Sequence, residues 1–158
     1  MHIELNLPET FNAADYFVDR NIREGRGQKT AVLCRDKAFT YAQIQTGVNK
    51  VGNALKGLNV EMENRVALLL LDTEFYPMSF FGAIKIGAVP ICLNTLMTPK
   101  DYLYFLNDSR AKALIIDALQ LEGYGKREAG ILGEVRGDAV PETWWGPDEP
   151  LACQLLHE

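Results

Sequence analysis

The chain has 158 residues, of which 47% are hydrophobic and 23% are charged, and its formal net charge is −5. A chain of this length can form one core, because a domain of about 150 residues buries roughly 68–70% of the surface that the unfolded chain exposes. The acidic balance and the lack of any window rich in Lys and Arg exclude nucleic acid and an anionic membrane surface as expected partners.

The N-terminal part of the chain predicts a helix followed by a strand. Asn12 can cap the helix, which Gly25-Arg26-Gly27 would end. The apolar residues expected to face the core recur at helical spacing: Ala14, Phe17, Val18 and Ile22. Residues 30–34 then form an apolar run typical of a strand, closed by a turn at Asp36-Lys37.

A second helix is predicted from Thr40, whose side chain can cap it. One stripe of this helix is apolar and carries Ile44, Val48, Val51 and Leu55. Glycines at 47, 52 and 57 each cost about 1 kcal/mol in a helix interior, so some of them are expected to permit close helix packing.

The segment from Arg65 to Asp117 alternates strands and helices. Residues 65–71 lack polar alternation, as expected for a parallel strand buried on both faces. A helix opens at Asp72-Thr73 and runs to about Ile86, and a buried strand is predicted over 89–93. Pro99 begins the next helix, which turns Tyr102, Phe105 and Leu106 inward, and residues 113–117 form the last strand. This order predicts an α/β fold, a doubly wound and mainly parallel sheet with helices on both faces.

Beyond residue 122 the periodicity fades. Residues 124–158 carry three Lys or Arg against seven Asp or Glu, so most of the net negative charge lies there. We therefore divide the chain into an α/β subdomain, residues 8–122, and an acidic tail, residues 123–158, for which no structure is predicted. Trp144-Trp145 are expected to pin this tail to the body.

The cysteines and the chain ends indicate a cytoplasmic protein. The chain has an odd number of cysteines, Cys34, Cys92 and Cys153, and no two of them form a C-x-x-C motif. The first two lie in apolar runs and are predicted to be core thiols, as is usual in a reducing compartment. No signal peptide is evident at the start, and no apolar run reaches the ~20 residues that span a bilayer.

Ligands of open α/β sheets bind at the carboxyl ends of the strands, which directs attention to Asp72, Asn94 and Asp117. None of these residues belongs to a phosphate-binding motif. Gly82 and Gly87 have the glycine spacing of a Walker loop, but Ala88-Val89 follow where Lys and Ser or Thr are needed. We therefore predict that these two glycines let a helix approach the strand over 89–93.

Other catalytic and metal chemistry is not expected. The histidines, His2 and His157, lie at the chain ends, which leaves no ordered histidine for a nucleophilic triad or a His-rich metal site. The aspartates occupy turn, cap and strand-end positions, where they satisfy backbone groups. The prediction is therefore no catalytic residue and no metal ligand in this chain.

Several runs resemble adenylate-forming acyl-CoA synthetases. They are Phe39-Thr40-Tyr41-Ala42-Gln43-Ile44, the stretch from Gly82 to Asn94, and Leu96-Met97-Thr98-Pro99-Lys100-Asp101-Tyr102, with residues 65–70 and 107–114 correctly spaced around them. Within that superfamily, residues 11–21, 51–55 and 103–109 are most similar to benzoate-CoA ligases. The resemblance covers residues 8–122.

The resemblance implies that the chain is the N-terminal part of a ligase that joins an aromatic acid to AMP, with ATP and Mg²⁺, and then transfers the acyl group to CoA. The family's phosphate loop, acid pocket, ribose-binding aspartate and adenylation lysine lie downstream of the matching region. The chain alone is therefore expected to be inactive, to need no cofactor and to pair with the remainder of a ligase. Lys100 is the candidate for a CoA contact that the resemblance implies, because some relatives place a basic residue in the loop after the residue that matches Asn94, and Lys100 is the nearest cation here.

Two alternatives stay open at this point. The chain can be a non-enzymatic binding module that associates with itself through apolar surface or an unpaired strand edge. It can also be an unrelated flavodoxin-like protein that binds a small ligand at Asp72, Asn94 and Asp117.

Overall fold

The computed structural model describes residues 8–117 and two further strands, Glu142–Thr143 and Leu151–Leu155. Helix α1 joins a π-helical turn to an α-helical turn, and the helices are α1 (Asp15–Asp19 and Arg20–Arg23), α2 (Tyr41–Gly57), α3 (Phe75–Lys85) and α4 (Pro99–Ser109). The strands are β1 (Thr30–Cys34), β2 (Lys37–Thr40), β3 (Arg65–Leu69), β4 (Val89–Cys92), β5 (Ala111–Asp117), β6 (Glu142–Thr143) and β7 (Leu151–Leu155).

The main sheet has five strands in the order β4-β3-β5-β7-β6. Strand β3 pairs in parallel with both β4 and β5, whereas β7 runs antiparallel to β5 and β6 runs antiparallel to β7. The chain moves outward from β3 to β4 and then returns past β3 to β5. Because such crossovers are right-handed, this reversal places α3 and α4 on opposite faces of the sheet. The predicted doubly wound α/β fold is confirmed.

Alternate residues of the central strands fill two separate cores. Val66 and Leu68 of β3 join the core that α2 and α3 cover, and Ala67 and Leu69 join the core beneath α4. All four of these side chains are buried, as expected for a parallel strand between two helical layers. Helix α2 buries its whole predicted stripe, Ile44, Val48, Val51 and Leu55.

A small hairpin stands apart from the main sheet. β1 pairs with β2 antiparallel, in a two-stranded sheet of its own. The sequence predicted only a turn there, because β2 is four residues long with its first two residues exposed and shows no apolar alternation. Thr40 then caps α2 as predicted: its backbone N–H donates to Gln43 Oε1 at 2.8 Å and its hydroxyl accepts the Gln43 N–H at 3.3 Å.

The predicted seating of Gly82 and Gly87 against the strand is wrong. A Cβ at Gly82 would lie 2.7 Å from Val51 Cβ, so this glycine brings α3 against α2. Gly87 has φ +85°, a left-handed conformation that closes the turn between α3 and β4. In α2 the prediction for the glycines is confirmed at Gly47, which faces Met78, and at Gly52, which faces Ile86.

Helix α1 faces the core with a different set of residues from the one predicted. Asn12 Oδ1 accepts the N–H of Ala14 at 2.9 Å, which confirms Asn12 as the cap. The Arg20 N–H bonds to Asp15 O, five residues back, so this turn holds one residue more than an α-helical turn. The extra residue rotates Phe17 outward, where it is 55% exposed, while Val18 is buried. The inward prediction for Phe17 is therefore wrong.

The same kind of correction applies on the outer strand and on α4. Cys92 is exposed, because β4 lies at one end of the described sheet, and Cys34, at the end of β1 in the separate hairpin, is half-buried. Neither is the predicted core thiol. In α4 Tyr102 and Leu106 are buried, but Phe105 is 37% exposed and stacks edge-on against Tyr104. Trp144, Trp145, His2, His157 and the side chain of Cys153 lie outside the described residues.

Candidate functional site at the carboxyl edge of the sheet

The carboxyl ends of β3, β4 and β5 lie at one edge of the sheet, because these three strands are parallel. The connection from β3 leaves toward β4, on the opposite side from β5. The gap between β3 and β5 is therefore the point where the winding reverses, which is where open α/β sheets bind ligands. Asp72 follows β3 and Asp117 ends β5, so the structure places both at this point, and Asn94 follows β4 beside them.

Asp72 lies in a tight turn between β3 and α3. The turn is closed by a bond of 2.7 Å from the Thr73 N–H to Leu71 O. The Asp72 side chain is exposed, and its backbone carbonyl lies 4.0 Å from the Cys34 thiol at the end of β1. The residue therefore shapes a turn and leaves its carboxylate in solvent.

Tyr76, in the first turn of α3, is a neighbour of this turn that the sequence analysis missed. Burial raises the pKa of Tyr76 to about 12, and a hydrogen bond with Cys92 and the nearby Asp72 charge act in the same direction. The phenol stays protonated at physiological pH, as an ordinary tyrosine does, and the raised pKa makes it a weaker acid still. Only the fold reveals this position, because nothing in residues 74–77 marks a polar contact with β4.

Asn94 is used within its own loop. Its side-chain oxygen accepts the Leu96 N–H at 2.9 Å, and its carbonyl accepts the Tyr102 hydroxyl at 2.8 Å. Thr98 then begins α4, where its N–H and hydroxyl donate to Asp101 Oδ2 at 2.9 and 2.7 Å. These hydrogen bonds lower the pKa of the Asp101 carboxyl. The loop is thus held by its own side chains, which fixes the start of α4.

Asp117 is 4% exposed, and its Cα lies opposite Leu151 of β7. Lys100 is exposed and lines an open groove on the outer face of α4, together with Leu103, Tyr104, Asn107 and Asp108. The structure therefore puts the sequence-predicted Asp72, Asn94 and Asp117 on one edge and Lys100 in a separate groove. A role for Lys100 in CoA binding stays a prediction.

The described part of the edge does not match the needs of a nucleotide and its metal. Within residues 8–117 no group of three or more His, Cys, Asp or Glu side chains is placed to hold a metal ion. The three strand ends supply two carboxylates and an amide, and carboxylates repel a polyphosphate. These three side chains therefore do not by themselves form a binding site for the phosphates of ATP. Among the residues that the structure describes, no helix combines the length and the apolar character that a bilayer crossing requires.

Comparison with known proteins identifies the family to which the chain belongs. The family model described as AMP-binding enzyme matches residues 18–148, well over half of the chain. This chain belongs to the AMP-binding enzyme family. The match ends beyond residue 122, and the boundary that we placed there stays a prediction.

Several relatives that the chain resembles are ligases of aromatic acids. The chain is 46% identical over 104 residues to a 4-hydroxybenzoate–CoA/benzoate–CoA ligase of Rhodopseudomonas palustris, covering 66% of this chain and 19% of that protein. It is 41% identical over 113 residues to a benzoate–CoA ligase of Thauera aromatica, covering 71% and 21%. A solved anthranilate CoA ligase in complex with anthranoyl-AMP superimposes with a TM-score of 0.72 at 39% identity, over 81% of this chain and 24% of that one.

These figures define the correspondence. The chain spans about a fifth of the length of the relatives that it matches, and it resembles the N-terminal part of benzoate-CoA ligase family enzymes. The family membership replaces the alternative of an unrelated flavodoxin-like protein. The predicted resemblance to benzoate-CoA ligases is confirmed.

Proposed function

We propose that this chain forms part of the sheet and wall of the large domain of an aromatic acid–CoA ligase. Enzymes of the family use ATP, Mg²⁺ and CoA. The observation that carries the proposal is the similarity to benzoate-CoA ligases, together with a family match over residues 18–148. That matched range includes a complete pair of strand–helix–strand units, β3 to β5, with both of their cores formed. The role of these residues is to present the carboxyl edge of the sheet to the rest of such an enzyme.

The chain alone does not catalyse adenylation in this proposal. The described edge offers Asp72, Asn94 and Asp117, and no glycine-rich phosphate loop ending in Lys and Ser or Thr follows any of them in the sequence. Family chemistry needs a cation at the phosphates, because charge develops there in the transition state.

Turnover assays test both parts of the proposal. The pure chain is incubated with ATP, benzoate and CoA, and release of AMP and pyrophosphate is measured; we expect none above a no-enzyme control. The same chain is then mixed with the complementary C-terminal part of the Thauera aromatica ligase, expressed separately. Pyrophosphate release from the mixture, absent from either part, would support the structural role. Release by the chain alone would refute its inactivity.

A second candidate function is a self-associating module. The observation that favours it is a group of partly exposed rings on and beside α1: Phe11 is 41%, Tyr16 44% and Phe17 55% exposed. The rings contact one another, with centroids 5.6 Å apart for Phe11 and Tyr16 and 5.1 Å apart for Tyr16 and Phe17. Sedimentation of the parent and of Phe17→Ser over a range of concentrations tests it. A parent that stays monomeric at every concentration would exclude this candidate.

We also propose a cytoplasmic location. Two cysteines with described side chains, Cys34 and Cys92, are free thiols, which suits a reducing compartment. Thiol titration of protein taken directly from its host would test this, since an exported protein would show oxidised cysteines.

A further inference from the structure

Among the residues that the structure describes, β4 is the terminal strand of the main sheet, and one of its two edges has no neighbouring strand. Within the described structure β4 pairs with β3 on one side only, in the register Arg65 to Val89 through Leu68 to Cys92. An edge of this kind offers free N–H and C=O groups to another chain, and proteins commonly protect it.

The direction of the backbone groups of β4 follows from two hydrogen bonds. The Val89 N–H donates to Asn64 O at 2.8 Å and the Leu93 N–H donates to Leu68 O at 2.9 Å, so both point toward β3. Successive residues of a strand point their backbone N–H and C=O groups to opposite edges of that strand. Ile91 therefore also faces β3, and Pro90 and Cys92 direct their backbone groups outward.

Pro90 occupies one of the two outward positions, and proline has no N–H to donate. The N–H of Ala88, the residue before the strand, donates to Ala83 O at 3.0 Å. Of the N–H groups from 88 to 92, only that of Cys92 is left to face solvent. The strand is also just four residues long. A second strand laid along this edge would thus find one donor where a regular strand offers two.

We propose that Pro90, by lacking an N–H, prevents β4 from pairing with β4 of a second copy of the chain. In a symmetric pair of β4 strands each proline removes one inter-strand hydrogen bond, so two are lost in the dimer. The inference concerns the edge of β4 and is independent of the ligase assignment and of the rings on α1.

The test is the Pro90→Val variant, which restores the missing N–H and adds a residue that favours strands. Pro77→Ala is the matched control, because Pro77 lies in the first turn of α3, away from the edge. Sedimentation velocity of the full chain over a range of concentrations gives the readout, with circular dichroism to confirm the fold. We expect P90V to associate at concentrations roughly tenfold to a hundredfold below those of the parent and of P77A, from two added hydrogen bonds.

A rescue variant separates edge pairing from misfolding. Adding Cys92→Pro to P90V removes the other outward N–H and should return the sedimentation of the double variant to that of the parent. Association that persists in the double variant would overturn the proposal, because it would not depend on the edge N–H groups. A folded P90V that sediments like the parent at every concentration would overturn it as well.

Discussion

Replacing Gly82 by alanine tests how α2 and α3 are held together. The new Cβ would lie 2.7 Å from Val51 Cβ, 2.8 Å from Val51 Cγ1 and 3.1 Å from the Val48 carbonyl oxygen. Carbon atoms prefer a separation of about 3.5–4.0 Å. The obstructing atoms are a Cβ and a backbone oxygen, which a change of rotamer cannot move, so the two helices must separate by about 1 Å.

The magnitude follows from two opposing effects. Overpacking of this kind costs typically 1–3 kcal/mol, and its upper part applies where backbone must move. Replacing glycine by alanine in a helix interior raises the free energy of unfolding by about 1 kcal/mol. We expect Gly82→Ala to lower the free energy of unfolding by about 2 kcal/mol net, which for a chain of this size lowers Tm by about 4–8 °C.

Two other glycines provide matched controls for the same substitution. A Cβ at Gly57 would meet no atom within 4 Å, so Gly57→Ala should be neutral or stabilising by about 0.5 kcal/mol. A Cβ at Gly47 would meet the side chain of Met78, which is flexible. The free energy of unfolding of Gly47→Ala should therefore lie between those of Gly82→Ala and Gly57→Ala. Urea denaturation followed by circular dichroism measures all three. A G82A variant as stable as G57A would refute the assigned contact between the helices.

Three further predictions concern Tyr76, Arg65 and Thr40. Because the pKa of Tyr76 is raised to about 12, above the value of about 10 in the unfolded chain, its contribution to stability is complete below pH 10 and is lost as pH rises toward 12. Tyr76→Phe should therefore lose less stability between these pH values than the parent in urea denaturation, and an unchanged pH dependence would contradict the assignment. Arg65 donates to the carbonyls of Ser109 at 2.6 Å, Arg110 at 3.1 Å and Glu63 at 3.2 Å, so Arg65→Lys, which lacks the planar fork, should cost about 1–2 kcal/mol of unfolding free energy and speed hydrogen exchange at the end of α4. Thr40→Ala removes the cap of α2 and should cost about 1 kcal/mol, whereas Thr40→Ser should cost a few tenths at most; equal losses in thermal denaturation would contradict the capping geometry.

The candidate site was only partly predictable from the sequence. Asp72, Asn94 and Asp117 could be placed at one edge because each follows an apolar strand, and parallel strands end at the same edge. The raised pKa of Tyr76 could not be predicted, because it depends on burial and on a contact with Cys92 that joins α3 to β4 across the turn at Gly87. The exposure of Cys92 likewise depends on β4 being the last strand of the sheet, which residues 89–92 do not encode.

Local pattern alone determined the order of helices and strands from β3 to β5, the cap at Thr40, the apolar stripe of α2 and the resemblance to benzoate-CoA ligases. These features depend on neighbouring residues and on spacing, which the sequence carries directly. Tertiary structure decided the rest. Gly82 packs against α2 instead of β4, a π-helical turn rotates Phe17 outward, and β7 adds an antiparallel strand beside β5. The packing of Gly82 and the pairing of β7 depend on contacts between segments far apart in the chain, where the favourable arrangement is set by which surfaces meet and not by the periodicity of either segment. The π-helical turn is local, but one added residue in a turn breaks the 3.6-residue period from which the sequence predicts a buried face.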